Sequence, residues 1–184
     1  DGQNGGGGAA KFKRGATLES DISWHSIVTD TYNLLWKLII RPPRSAYAVE
    51  DLGPRKFRLG KQIFERRDLQ LTNDRGLRLE CSHWVPLDPE LDQGTNQYPC
   101  VVYLHGNCSS RLESSDTLKV LLPKGITVFA LDLSGSGRSE GEYISLGWFE
   151  QHDLRTAVRH LRGLPFISGI GLWGRSMGAA TAVL

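Results

Sequence analysis

One short motif constrains the fold of this chain more than any other feature. Residues 174–178 read Gly-Arg-Ser-Met-Gly and follow directly on an apolar run at residues 170–173. The small residues Ala-Ala-Thr-Ala come next and can begin a closely packed helix. A Gly-x-Ser-x-Gly motif between a strand and a helix is typical of a sharp turn that exposes a serine hydroxyl. The sequence therefore predicts a strand, a tight turn at Ser176 and a helix.

The residue types around Ser176 indicate why such a turn suits a nucleophile. A serine hydroxyl is a weak nucleophile and must stand clear of its own backbone for a base and a carbonyl carbon to reach it. Gly174 and Gly178 are expected because a side chain at either position would collide where strand and helix cross. A helix that starts just after the serine directs backbone N–H groups at developing negative charge. We therefore predict Ser176 as the nucleophile and the N–H of Met177 as one half of an oxyanion hole.

Apolar runs alternate with helical periodicities from residue 62 onward. An antiparallel hairpin comes first, with Asn-Asp-Arg-Gly at residues 73–76 as its turn. Short apolar runs of the kind found in buried parallel strands then alternate with helical segments. The predicted segments are strands at residues 62–71, 77–85, 100–104, 126–131 and 170–173, and helices at residues 109–122 and 146–164. This order predicts an α/β fold in which the hairpin leads into a parallel sheet with helices on both faces.

A second motif, His105-Gly106-Asn107, follows the predicted strand at residues 100–104. Open parallel sheets bind ligands at the carboxyl ends of their strands, which is where this motif lies. The N–H of Asn107 or of Cys108 is therefore placed to form the other half of the oxyanion hole. Two interpretations of His105 remain: a structural histidine that shapes the loop, which we favour, and a general base. A base that precedes the serine is against the chain order serine, acid, histidine.

A third motif, Asp-Leu-Ser-Gly-Ser-Gly-Arg-Ser at residues 132–139, follows the next predicted strand. Its glycines are reminiscent of a phosphate-binding loop, but it lacks the Gly-Lys-Ser/Thr ending of a P-loop and the full spacing of a dinucleotide-binding motif. We favour a tight loop beside the site, with Asp132 as its hydrogen-bonding anchor. Asp153, on the following helix, is expected to be solvated or to cap the helix.

The first third of the chain has a different character. Residues 1–19 read as a flexible Gly/Lys-rich leader, and residues 20–61 as an amphipathic helix and linker, which leaves residues 62–184 for a partial α/β domain. The helix covers residues 22–40 and ends before a Pro-Pro pair. Two interpretations of its apolar stripe remain: packing against the α/β domain, which we favour, and peripheral contact with a membrane. Asp, Asn and Lys interrupt the stripe, so its length is too short for a membrane span.

Composition limits the classes of protein to which this chain can belong. Hydrophobic residues make up 40% of the chain and charged residues 23%, which is ordinary for a globular protein. Cys81, Cys100 and Cys108 are too few and too scattered for a disulfide framework or a zinc site, and they favour a reducing compartment. We therefore predict a cytoplasmic location, with membrane association as the alternative. Residues 1–67 hold 12 Lys and Arg against 7 Asp and Glu, a bias that suits either an anionic membrane or a solvated surface.

Together the motifs at residues 105–107, 132–139 and 174–178 resemble those of the α/β-hydrolase superfamily. Within it, the chain is similar to the serine aminopeptidase (S33)-like and Bem46/ABHD-type hydrolases. The resemblance covers residues 62–184, the first half of that fold. It implies a serine hydrolase that acts on esters, thioesters or amides, with a small-molecule or acyl substrate, no cofactor, no metal and no nucleic-acid partner.

By the same resemblance, Ser176 is the nucleophile, and Met177 and Asn107 form the oxyanion hole through their backbone N–H groups. The acid and the histidine of the family lie on loops after later strands, so we expect them beyond residue 184. Residues 1–184 by themselves are accordingly expected to be inactive. The alternative is a non-catalytic protein that keeps the α/β-hydrolase fold for binding or for membrane association.

Overall fold

The computed structural model describes residues 24–41 and 43–184. The leader predicted for residues 1–19 lies outside the described residues. The chain divides into two compact units, one ending at Leu34 and one comprising Leu35–Leu184. The described part of the first unit is helical throughout. Of the helices that the structure describes, none is both long enough and apolar enough to cross a membrane.

A mixed sheet forms the centre of the second unit. Its described strands are β1 (Lys56–Leu59), β2 (Gln62–Thr72), β3 (Arg78–Pro86), β4 (Tyr98–Leu104), β5 (Thr127–Leu131) and β6 (Ile167–Gly174). They lie in the order β1-β2-β3-β5-β4-β6. β3 runs antiparallel to β2 and to β5, whereas β5, β4 and β6 are parallel. The predicted hairpin is the β2–β3 pair, and Gly76 in its turn has a positive φ of 77°.

Helices and short 3-10 turns connect the strands. The described α-helices are α1 (Trp24–Ile40), α2 (Ser115–Leu121), α3 (Glu150–Arg162) and α4 (Met177–Val183), and the 3-10 turns are Val49–Leu52, Leu91–Gln93, Arg111–Ser114 and Leu122–Lys124. In α3, acidic residues occupy the first turn and basic residues the last. This distribution of charge complements the helix dipole.

Alternating side chains of the central strands form two cores on opposite faces of the sheet. In β4, Val102 and Leu104 belong to the core that also contains Leu154 of α3 and Met177 of α4. Tyr103, between them, belongs to the second core, which contains Leu118 and Leu121 of α2. Helices therefore cover both faces of the parallel part of the sheet, which confirms the predicted α/β fold.

The path of the chain brings two motifs together. α2 lies between β4 and β5, and α3 then leads to β6, which pairs with β4 on the side away from β5. A crevice forms at the carboxyl ends of parallel strands where the strand order reverses in this way. The last residue of β4, Leu104, is in register with the last residue of β6, Gly174. The loops that follow these two strands therefore start side by side.

Several segments differ from the prediction, among them β1 and the start of α3. β1 lies in the part predicted as linker, because four residues are too short to show a strand pattern and depend on their pairing with β2. The helix predicted from residue 146 begins at Glu150, whose carboxylate accepts the N–H groups of Ser145 and Gly147, both at 2.8 Å. A positive φ of 122° at Gly147 keeps the preceding backbone out of the helix. The division of the chain at residues 19 and 61 stays a prediction.

Candidate functional site

Ser176 lies in a strained turn between β6 and α4. Its φ and ψ are 50° and −115°, a combination that residues with a side chain rarely adopt. Only Arg175 and Ser176 separate the end of β6 from the start of α4 at Met177. Ser176 is also exposed to solvent. The strand, tight turn and helix predicted from the sequence are present, with the serine at the turn.

The glycines on either side of the turn occupy positions where no side chain fits. A Cβ on Gly174 would collide with the carbonyl group of Gly178, and a Cβ on Gly178 would collide with the carbonyl group of Leu104. Backbone atoms cannot swing aside as the far end of a flexible side chain can. Glycine is therefore required at both positions, for the steric reason expected from the sequence.

The loop after β4 lies against this turn. The N–H of Arg175 donates to the carbonyl of Leu104 at 3.1 Å. A Cβ built on Gly106 would lie 3.9 Å from the Cβ of Ser176 and 3.7 Å from the carbonyl oxygen of Arg175. The fold thus brings together the His105-Gly106-Asn107 motif and Ser176, which are 71 residues apart in the chain.

The backbone N–H groups of Asn107 and Met177, the donors predicted from the sequence, have no partner among the described residues. The N–H of Cys108, the other candidate from the sequence, donates instead to Oδ1 of Asn107 at 2.8 Å. Both unpartnered groups border Ser176, one through Gly106 and one as its direct neighbour. Unpaired N–H groups beside a serine can bind an oxygen that carries negative charge.

His105 is fully buried and makes two hydrogen bonds that define its role. Its Nε2 accepts the N–H of Leu133 at 3.0 Å, so the proton of the neutral ring is on Nδ1, which donates to the carbonyl of Gly106 at 2.7 Å. Burial lowers the pKa of His105 and favours this neutral form. Because the Gly106 carbonyl and the Asn107 N–H share one planar peptide unit, the ring also directs that N–H. The favoured interpretation, a structural histidine, agrees with both bonds.

Asp132 anchors the loop at residues 132–139, as predicted. Its Oδ1 accepts the N–H of Arg111 at 2.7 Å, and its Oδ2 accepts the Tyr47 hydroxyl at 2.6 Å and the Arg138 N–H at 2.9 Å. Burial, and then the charge of Asp132, raise the pKa of Tyr47 above its ordinary value. Three further N–H groups of the loop donate within the protein, from Ser134 to Asp153, from Gly135 to Glu140 and from Ser136 to Leu133. They are therefore engaged rather than open to a phosphate.

Asp153 is not the solvated or capping residue that the sequence predicted. It is fully buried in α3, where Oδ1 accepts the side-chain amide of Asn73 at 2.6 Å and Oδ2 accepts the N–H of Ser134 at 2.7 Å. Burial raises the pKa of this carboxyl group. Asp153 therefore joins the β2–β3 turn to the Asp132 loop, a contact across 80 residues that helical periodicity does not reveal.

Glu113 is a site residue for which the sequence predicted no role. Its carboxylate accepts the N–H of Gly106 at 3.0 Å and Nη1 of Arg175 at 2.6 Å. Burial, and then Glu113, raise the pKa of the neighbouring Tyr103 hydroxyl to about 12. A lone glutamate near the start of a predicted helix gives no signal of such contacts, because its partners lie on other segments.

Comparisons with known proteins agree with this geometry. The family described as serine aminopeptidase, S33, matches residues 96–184. The esterase Pf2001 of Pyrococcus furiosus is 28% identical with a TM-score of 0.60, and the similarity covers 78% of this chain. XC6422 of Xanthomonas campestris, described as an α/β serine hydrolase without a lid, is 22% identical over 67% of this chain with a TM-score of 0.52. This chain has the α/β-hydrolase fold, and its residues 96–184 match the S33 serine aminopeptidase family.

The similar proteins are longer than this α/β-hydrolase chain. The chain spans 51% of the Pf2001 chain and 55% of the XC6422 chain, so about half the length of these structural relatives. The uncharacterized protein YqkD of Bacillus subtilis (strain 168) is 34% identical over 85 residues, which are 46% of this chain and 28% of YqkD.

Within the described part of this α/β-hydrolase, no histidine or carboxylate is hydrogen-bonded to the hydroxyl of Ser176. Both ring nitrogens of His105 are engaged elsewhere. His83 is buried in the sheet, with Nε2 3.2 Å from Oγ1 of Thr127. The described residues thus bring together a serine and two backbone donors. They hold no group that would remove the proton of that serine.

Proposed function

We propose that this α/β-hydrolase is a serine hydrolase that cleaves esters, thioesters or amides through an acyl-enzyme on Ser176. One observation carries the proposal: an exposed serine in a strained turn lies beside the N–H groups of Asn107 and Met177, which have no partner among the described residues. Fixed donors of this kind stabilise the charge that develops on a carbonyl oxygen under attack. The similarity to the Pf2001 esterase supports an ester as the substrate.

In the proposed reaction, Oγ of Ser176 attacks the carbonyl carbon of the substrate while a base takes its proton. The N–H groups of Asn107 and Met177 bind the oxyanion of the tetrahedral intermediate. Its collapse breaks the bond to the alcohol, thiol or amine, which takes up the proton, and leaves the acyl group on Ser176. Water then attacks the acyl carbon, which releases the carboxylic acid and restores the serine.

The base in this proposal is a histidine, and none of the histidines among the described residues is hydrogen-bonded to Ser176. In α/β-hydrolases the acid and the histidine follow the serine in the chain, whereas His105 precedes Ser176 and is engaged. We propose that both groups belong to sequence outside residues 1–184, and that these residues alone are inactive. The cytoplasmic location stays a prediction from cysteine content.

Hydrolysis of aryl esters by the protein at its full natural length tests the proposal. Ser176→Ala is expected to lower kcat/KM by about 10,000-fold or more, because the nucleophile acts as a unit with its base. Ser168→Ala removes another exposed hydroxyl from β6 and is expected to retain full activity. Equal activity of the two variants would contradict the proposal and favour the alternative, a non-catalytic α/β-hydrolase that binds a ligand or a membrane.

We further propose that α1 contacts a membrane surface. Its apolar side chains recur along one side of the helix, and packing of this stripe against the α/β domain stays a prediction. At 100° per residue the exposed apolar side chains fall within an arc of roughly 160°. They are Trp24, Ile27, Val28, Tyr32, Leu34, Leu35, Leu38 and Ile39. Aromatic and aliphatic residues on one face are typical of helices that lie in the membrane interface.

Co-sedimentation with vesicles of phosphatidylcholine and phosphatidylserine tests this contact in the full-length protein. The double variant Leu35→Glu/Leu38→Glu is expected to lower the bound fraction at least about tenfold, because each buried leucine side chain contributes roughly 1.5–3 kcal/mol. Val120→Glu alters an exposed apolar residue of α2 and should bind like the wild type. Wild-type protein that stays in the supernatant, or a double variant that sediments as well as Val120→Glu, would end the membrane proposal.

A further inference from the structure

One carboxylate accepts hydrogen bonds from both loops that carry the proposed oxyanion donors. Oε2 of Glu113 accepts the N–H of Gly106 at 3.0 Å, and Oε1 accepts Nη1 of Arg175 at 2.6 Å. Gly106 directly precedes Asn107, and Arg175 lies two residues before Met177. A single side chain therefore connects the loop after β4 to the turn after β6, within two residues of each donor.

Glu113 is itself held in a defined place. It lies in the 3-10 turn ahead of α2, and its side chain is only 12% exposed. The Tyr103 hydroxyl donates to Oε1 at 3.3 Å. Burial alone would raise the pKa of Glu113, but the Gly106 N–H and further hydrogen bonds outweigh it and lower the pKa. The group that accepts these bonds at neutral pH is therefore the charged carboxylate.

Such a connection matters because the two donors belong to separate elements. Each donor must be held within about 0.5 Å of its productive position, and a displacement of about 1 Å can lower a rate about 100-fold. The sheet fixes both loops only as far as Leu104 and Gly174, where β4 and β6 end. Beyond these residues, one backbone hydrogen bond joins the two segments, from the Arg175 N–H to the Leu104 carbonyl. The relative position of the loops also depends on side chains that span them.

We propose that Glu113 is a positioning residue for the oxyanion hole, because its carboxylate ties the Gly106 loop to the Ser176 turn and sets the spacing of the Asn107 and Met177 N–H groups. The inference rests on the proposed serine hydrolase function. Glu113 touches neither the substrate nor the reacting atoms, so its effect is on the geometry of the donors. Binding of the substrate by the rest of the site should not depend on it.

Kinetics of the full-length protein with an aryl ester test this role. Glu113→Gln keeps the size of the side chain but replaces one acceptor by a donor that opposes the Gly106 N–H or the Arg175 guanidinium. We expect kcat to fall about 10-fold or more, less than the roughly 100- to 1,000-fold caused by loss of an oxyanion donor itself. KM should stay within about twofold, because the lost interaction is made in the transition state. Asp116→Asn, on an exposed residue of α2, is the matched control and should keep wild-type kinetics.

Arg175→Gln breaks the same connection from its exposed end, where the side chain is 70% exposed. It should lower kcat with little change in KM and in the midpoint of thermal unfolding. The inference is overturned if Glu113→Gln and Arg175→Gln both hydrolyse the ester as fast as Asp116→Asn, or if only KM changes. In those cases Ser176-dependent hydrolysis by the wild type would leave the proposed function standing. A wild-type protein without such hydrolysis would contradict both the proposed function and the inference about Glu113.

Discussion

Buried histidines in this chain hold backbone and strands in place. His105 bridges the Leu133 N–H and the Gly106 carbonyl. His83 lies between the rings of Phe129 and Phe166, with centroid distances of 5.5 Å and 5.8 Å. Burial lowers the pKa of both, that of His83 to about 3. In the unfolded chain the pKa of histidine is about 6.5, so the unfolded state binds more protons below that pH.

Stability should therefore fall as the pH drops from about 6.5 towards about 3, and His83 supplies part of this loss. For one such group the free energy of unfolding is expected to decrease by roughly 1.4 kcal/mol between pH 7.5 and pH 5.5. Urea unfolding of the wild type and of His83→Phe at both pH values measures this decrease in the free energy of unfolding. The variant should show a pH-dependent loss smaller by about that amount. An identical pH dependence in both proteins would refute a neutral buried His83.

At the level of the elements, the contact between α4 and β4 decides whether the serine turn can form. A Cβ on Gly178 would collide with the Leu104 carbonyl and lie 2.8 Å from the carbonyl oxygen of His105. Gly178→Ala is therefore expected to lower the free energy of unfolding by roughly 1–3 kcal/mol and to displace the Met177 N–H, with loss of activity.

Gly169→Ala provides the control for this prediction. Gly169 lies in β6, and nothing is within 4 Å of a Cβ built on it. Its substitution should change the free energy of unfolding by no more than about 0.5 kcal/mol. Denaturant unfolding together with ester hydrolysis compares the two variants. A Gly178→Ala protein as stable and active as Gly169→Ala would mean that the turn tolerates a side chain.

These elements also mark how far the sequence could predict the structure. The strands and the turn at Ser176 were predictable because apolar runs, periodicity and the positions of Gly174 and Gly178 report local geometry. Asp153 and Glu113 were not, because their roles depend on partners 80 and 62 residues away. β1 was missed for a similar reason, since a strand of four residues acquires its structure from pairing with β2.

At the scale of the whole molecule, β6 forms an exposed edge of the described sheet. β6 pairs only with β4 among the described strands, and its Leu172 and Trp173 are 43% and 46% exposed. An apolar edge strand without a neighbour promotes association with other chains. The chain also spans about half the length of the structural relatives. Activity and stability are therefore best measured on the protein at its full natural length.

The proposed reaction requires above all that Ser176 is the nucleophile. Reaction of the full-length protein with a fluorophosphonate, followed by mass spectrometry of its peptides, tests it directly. We predict one covalent adduct, on the peptide that contains Ser176, and no adduct in Ser176→Ala. An unmodified Ser176 peptide in folded protein, or an adduct that persists in Ser176→Ala, would contradict the claim.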